Sequence, residues 1–248
     1  MKFLKEIVGR ILALWTLLVF VVTFILFMFP FMMFCYFKPD PLKTFRFVRF
    51  SQYWMNTFFF LTGCSLKVKG KENFAEGETY IVVCNHNSFF DVFIASPRIP
   101  GGNKTIAKIE LARIPVFNWV YKAGSVLVDR KSDRSRAESF LQMKAVLDMG
   151  LHMCIYPEGT RNRTNEPLKS FHNGAFKLAI DTGRSIIPAV IFNTKKVLPV
   201  NKPFFMWPHK MEMHFLPPVK VESRDNVESL KKKVFEIMKV HYEKGLKN

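Results

Sequence analysis

Carboxylates are scarce in this chain: 20 Asp and Glu stand against 37 Lys and Arg, a formal net charge of +17 over 248 residues. So basic a balance favours anionic partners. Cysteine is sparse as well. Cys35, Cys64, Cys84 and Cys154 fall in no CxxC or other metal-ligand spacing. That argues against a structural metal and for buried, reduced thiols in a cytoplasm-facing protein, without disulfides. No zinc-finger spacing, RNP-like segment or internal repeat is present, so nucleic acid is not an expected partner despite the charge. No Gly-x-Ser-x-Gly string occurs, which argues against a serine-lipase nucleophile elbow. The longest absence is of charge itself: residues 11–37 contain no ionisable acid or base other than Cys35 and Tyr36.

As a straight helix that stretch would run about 40 Å, longer than the roughly 30 Å hydrocarbon core of a bilayer. It is too long for a signal peptide and has no small-residue cleavage site. Lys2, Lys5 and Arg10 precede it and Lys38, Lys43, Arg46 and Arg49 follow, so the flanking charge sets no orientation. Two geometries fit: one tilted spanning helix, or a helical hairpin bent at Pro30 and dipping into one leaflet, the second being preferred here. Residues 45–60 mix basic and aromatic side chains as interfacial helices do. With an apolar anchor and abundant Phe, anionic lipid headgroups fit the basic charge best. Residues 1–62 are therefore expected to form a membrane anchor with an interfacial helix, and residues 63–248 the catalytic domain.

Beyond the anchor, apolar strands alternate with amphipathic helices. Residues 66–70, 80–84, 125–129, 152–156 and 186–192 have strand character. Residues 134–148 place Phe140, Met143, Val146 and Leu147 on one helical face, with Gly150 as a stop. Residues 173–182 form a shorter helix ended by Gly183, and residues 226–245 an amphipathic tail with His241 on its packed face. This alternation predicts an α/β fold, a mostly parallel or mixed sheet covered by helices, with the membrane-embedded helical segment at its N-terminus. In such sheets functional groups collect where strands run into loops.

Two strings occupy such positions. Asn85-His86-Asn87-Ser88-Phe89-Phe90-Asp91 follows one apolar strand, and Tyr156-Pro157-Glu158-Gly159-Thr160-Arg161 follows another. Each has a purely structural reading: a polar strand end, a Ser-x-x-Asp helix start, a glycine turn and a solvated arginine. Together they offer a base for an alcohol and a seat for a phosphate, the needs of acyl transfer onto a phosphorylated alcohol. Residues five apart on a straight helix lie about 140° from each other, so His86 must sit in the loop. Asp91 would then reach back from the first helical turn, with Ser88 as N-cap.

The pattern resembles the glycerolipid acyltransferase superfamily, specifically the 1-acyl-glycerol-3-phosphate acyltransferases. Asn85-His86 with Asp91 looks like its His-x4-Asp motif. Lys108-Ile109-Glu110-Leu111, running through Pro115 to Gly124 and Asp129-Arg130, resembles its second block. Residues 156–161 are similar to its Phe-Pro-Glu-Gly-Thr-Arg string, with Tyr156 for the first Phe, and Ile186-Ile187-Pro188 matches a short apolar-Pro block. The likeness covers most of residues 64–195. One departure is Asn118, where many relatives carry Gly.

The resemblance implies an acyl thioester donor, acyl-CoA or acyl-acyl carrier protein, and a lysophosphatidic acid acceptor, with no cofactor and no metal. His86 would act as general base, oriented by Asp91. Arg161 and Lys108 would hold the acceptor phosphate, Gly159 and Thr160 would contribute a backbone nest, and Glu158 would orient Arg161 or a nearby hydroxyl. Arg130 is a weaker phosphate candidate, and Cys84 is expected to be an inert thiol rather than a nucleophile. The catalytic domain would sit on the cytoplasmic face of a membrane. Rival readings are another acceptor (glycerol 3-phosphate, another lysophospholipid or a lyso-aminolipid), a thioesterase-like hydrolase, and a non-catalytic membrane-binding module.

Overall fold

A computed structural model describes residues 2–115, 117–164 and 166–247. Seven strands form one sheet: β1 (Ser65–Lys69), β2 (Ile81–Cys84), β3 (Asn103–Lys108), β4 (Ser125–Val128), β5 (His152–Ile155), β6 (Ile186–Phe192) and β7 (Lys210–Phe215), in the order β1-β7-β6-β2-β5-β3-β4. All neighbouring pairs run parallel except β6 and β7. The mixed α/β sheet read from the sequence is therefore the fold. Strands β2 and β6 are buried at every position, which is why they read as unbroken apolar runs.

Alternation along β2 feeds two cores. Val82 and Cys84 face one core, packed under helices α1 (Lys2–Phe34), α2 (Leu42–Leu61), α3 (Phe90–Arg98) and α4 (Phe117–Gly124). Ile81 and Val83 face the other, under α5 (Asp133–Asp148), α6 (Gly174–Thr182) and α8 (Val227–Lys247). A single turn, α7 (Thr194–Val197), follows β6.

The N-terminal segment differs from the expected bend. Helix α1 continues through Pro30 to Phe34, and the chain reverses only in residues 35–41 before α2. Proline removes one backbone donor, but Met28 and Phe31 on either side are completely buried, and that packing holds the helix together across the defect. Nor is α2 simply an interfacial helix. Phe47, Val48, Trp54, Met55, Phe58 and Phe59 are buried in the core shared with the sheet, while Phe45, Tyr53 and Phe60 remain exposed. The division expected at residues 62/63 therefore does not coincide with a break in packing.

Strands β3 and β7 and helix α4 were not anticipated. In β3 the buried residues Asn103, Lys104 and Thr105 are polar, and each has a hydrogen-bond partner on another element, although Asn103 Oδ1 is buried without one among the described residues. Asn103 Nδ2 donates to Ser96 O (2.9 Å), Lys104 Nζ to Asp40 Oδ2 (2.8 Å), and Thr105 Oγ1 lies 2.9 Å from Ser125 Oγ. Hydropathy cannot reveal a strand whose burial rests on partners elsewhere.

Candidate active site

The site forms at the carboxyl ends of β2, β3, β4, β5 and β6, as expected for an open α/β sheet. β2 pairs directly with β5, so the loops carrying His86 and Glu158 are neighbours. Asn85 fastens the end of β2 to β6: its Nδ2 donates to Ile191 O (3.0 Å) and its Oδ1 accepts from Ile191 N (2.7 Å). His86 follows in the loop, and its own backbone is held by the second string. His86 N donates to Glu158 Oε1 (2.7 Å), and His86 O accepts from Asn162 N (2.6 Å).

His86 Nδ1 lies 3.0 Å from Asp91 Oδ2. That oxygen also accepts from Asn87 N (2.6 Å) and Ser88 N (2.7 Å), while Oδ1 accepts from Thr194 Oγ1 (2.6 Å). The carboxylate is completely buried. Surrounded by donors, it makes Nδ1 the protonated ring nitrogen and leaves the Nε2 lone pair free. The Tyr156 ring packs 4.6 Å from the imidazole centroid, and its hydroxyl donates to Asp91 O (3.0 Å). Burial pushes the Tyr156 phenol well above its ordinary range, so it stays a donor.

The expected placement of Asp91 by a Ser88 cap is reversed. Helix α3 begins at Phe90, and its preceding residue, Phe89, makes no side-chain cap. Ser88 Oγ makes only a 3.3 Å bond to Phe90 N. Asp91 itself binds the loop amides, so the carboxylate organises the loop.

Glu158 also has a different role from the one anticipated. It is buried and faces two backbone amides, His86 N through Oε1 and Lys169 N (2.9 Å) through Oε2. It touches neither Arg161 nor a hydroxyl among the described residues, and it is not placed to meet a phosphate. Burial raises its pKa, and the two amide bonds partly offset that rise. The backbone nest at Gly159 and Thr160 is not available either. Gly159 N donates to Tyr156 O (3.0 Å) and Thr160 N to Glu158 O (2.8 Å). Gly159 has φ +68°, and a Cβ there would lie 2.8 Å from the His172 ring, so the turn requires glycine.

A cavity of about 880 Å³ brings the site residues together: His86, Lys108, Arg130, Gly159, Thr160 and Arg161 all line it. Lys108 is the last residue of β3, not a helical lysine. Lys108 and Arg161 are exposed and make no ion pair among the described residues. Arg130 is tied to Gly159 O. Lys169, which the sequence did not single out, lines the same cavity and donates to Thr160 Oγ1 (2.7 Å). Much of the remaining wall is apolar, with Phe20, Phe24, Trp54, Phe93, Phe117 and Val120 from α1 to α4, beside Arg163 and a few hydroxyl side chains. Cys84 is completely buried, and its hydrogen bond to Cys154, then its burial, push the thiol well up, so it is not a nucleophile. Thr194 was also missed. It lies 103 residues from Asp91 and carries no local signal beyond following a strand.

The chain matches the profile of the Acyltransferase family over residues 65–192. It is 35% identical over 135 residues to a 1-acyl-sn-glycerol-3-phosphate acyltransferase of Borreliella burgdorferi, covering 54% of each chain. To the enzyme of that name from Cocos nucifera it is 36% identical over 116 residues, 46% of this chain and 37% of that one. The chain thus spans about half the length, or less, of these curated relatives. The crystal structure of the 1-acyl-sn-glycerophosphate acyltransferase PlsC from Thermotoga maritima shares the fold, with a TM-score of 0.80 and 24% identity over 96% of both chains. The family match covers more than half the sequence and contains both strings of the site: this chain belongs to the Acyltransferase family.

Proposed function

We propose that the protein transfers a fatty acyl group from an acyl thioester, acyl-CoA or acyl-acyl carrier protein, to the free 2-hydroxyl of 1-acyl-glycerol 3-phosphate, making phosphatidic acid. The observation that carries this reading is one cavity lined by a carboxylate-paired imidazole, several cations and a large apolar surface. His86 Nε2 takes the hydroxyl proton as the oxygen attacks the thioester carbonyl, and the thiol leaves. Asp91 holds the ring and stabilises the imidazolium. Arg161 and Lys108 hold the acceptor phosphate, Arg161 through its planar fork. The apolar wall takes the acyl chain. No cofactor is needed, because the thioester is already activated.

Membrane lipid is the expected environment of the acceptor. Helix α1 is the one described helix long and apolar enough to cross a bilayer. Its contacts favour a helix lying along one leaflet. Near its start, Gly9 O accepts from Met206 N (3.1 Å), and near its end Phe31 packs on Phe47 of α2 (ring centroids 5.4 Å apart). These anchor points lie about 33 Å apart along the helix and belong to one packed unit, so a spanning α1 would pull that unit into the hydrocarbon. The opposite face presents Leu14, Leu18, Val22, Ile25 and Phe29. Bound this way on the cytoplasmic face, the four thiols stay reduced.

Purified protein in detergent, given an acyl thioester with lysophosphatidic acid, glycerol 3-phosphate or water as competing acceptors, tests the reading. Phosphatidic acid should dominate. Free fatty acid in its place would support a hydrolase, and full activity in His86→Ala would remove the proposed base.

A further inference from the structure

Lys169 lies outside both strings of the site, yet the structure ties it to the base. The buried carboxylate of Glu158 accepts His86 N on one oxygen and Lys169 N on the other, at 2.7 and 2.9 Å. Two amides bonded to one carboxylate lie within roughly 7 Å of each other. The side chain of Lys169 then runs along the cavity wall, where Nζ donates to Thr160 Oγ1 (2.7 Å) beside Arg161. An ammonium has three donors. Thr160 takes one, and no carboxylate pairs with Lys169 among the described residues. In the proposed acceptor, C2, C3 and the ester oxygen are the only atoms between the reacting hydroxyl oxygen and phosphorus. The phosphate seat must therefore lie close to His86, at a spacing fixed by the protein.

Resting on the acyl-transfer reading above, we propose that Lys169 is a ligand for the acceptor's phosphate monoester, and that Glu158 sets its distance from the His86 base. Thr160 aims the ammonium. Glu158 serves here as a positioning residue, holding two backbones in register without meeting substrate.

The test compares wild type with Lys169→Met and Lys169→Arg in detergent, varying lysophosphatidic acid and acyl-CoA separately. A lost charge-assisted hydrogen bond should raise the acceptor KM roughly ten- to hundredfold, with the donor KM unchanged and Arg restoring part of the loss. Turnover of 1-acylglycerol, which lacks the phosphate, should be equal in wild type and Lys169→Met. An unchanged acceptor KM, or a rise in the donor KM alone, overturns the assignment; the latter would place the lysine on the donor's phosphates. Thermal shifts with glycerol 3-phosphate give a readout independent of turnover: wild type should be stabilised and Lys169→Met should not. Equal shifts overturn the proposal. If wild type shows no turnover of lysophosphatidic acid, the acyl-transfer reading fails, while this binding comparison still decides the role of Lys169.

Discussion

At Asp91, two side-chain donors, His86 and Thr194, and two backbone amides, Asn87 and Ser88, meet one buried carboxylate, and the two side chains can be altered separately. His86→Ala should lower kcat by about 10²–10⁴ with little change in thermal stability, measured by initial rates and melting temperature. Thr194→Val keeps the shape but leaves Asp91 Oδ1 without its hydroxyl donor. It should cost on the order of 1–3 kcal/mol in unfolding free energy and lower kcat, whereas Thr194→Ser should retain both. Equal behaviour of the Val and Ser variants would show that the hydroxyl has no role in holding Asp91. The residue types in the two strings were enough to nominate His86 and Asp91. The direction of control between Ser88 and Asp91 was not legible, because either polar side chain can satisfy a loop amide.

Two loops and one helix pair show how whole elements are held. Glu158 joins the loop after β2 to the segment before α6 through two acceptor oxygens. Protonation turns one of those oxygens into a donor that faces an N–H group. Because burial raises this carboxyl's pKa, the bridge should loosen at a milder acidity than for an exposed glutamate, adding to the loss of activity on the acid side. Glu158→Gln, with one acceptor oxygen, should be weakly active across the whole profile; a wild-type profile in that variant would remove the bridging role. In the helix pair, Trp54 Nε1 donates to Thr23 Oγ1 (3.0 Å) across the α1–α2 seam, deep in apolar surroundings. Thr23→Val leaves the indole N–H unpaired and should cost about 1–3 kcal/mol, measured by thermal unfolding in detergent.

For the whole molecule, acid stability should track His152 at the start of β5. Its Nδ1 accepts from Tyr80 N (3.0 Å), which requires the unprotonated nitrogen. Burial lowers its pKa from 6.5 to about 4. The unfolded chain takes up this proton below pH 6.5, whereas the folded chain resists until about pH 4. The stabilisation is complete above pH 6.5 and is lost as pH falls from there to about 4. His152→Gln should flatten the melting temperature across that window relative to wild type. A parallel decline in both proteins would assign acid unfolding to other groups.

The chain's own order of residues determined the strands that are apolar throughout, the amphipathic faces of α5 and α8, and the two polar strings that follow β2 and β5. These are local properties: period, run length and residue type suffice to read them. Tertiary structure decided what depends on distant partners. β3 is hidden from hydropathy because its buried side chains are polar and bond to Asp40, Ser96 and Ser125 on other elements. Thr194 and Lys169 join the site only because β6 lies beside β2 and one glutamate reaches two loops. The long apolar N-terminus fixed a helix by composition. Contacts at both of its ends decide that one face lies against the protein and leave the other exposed.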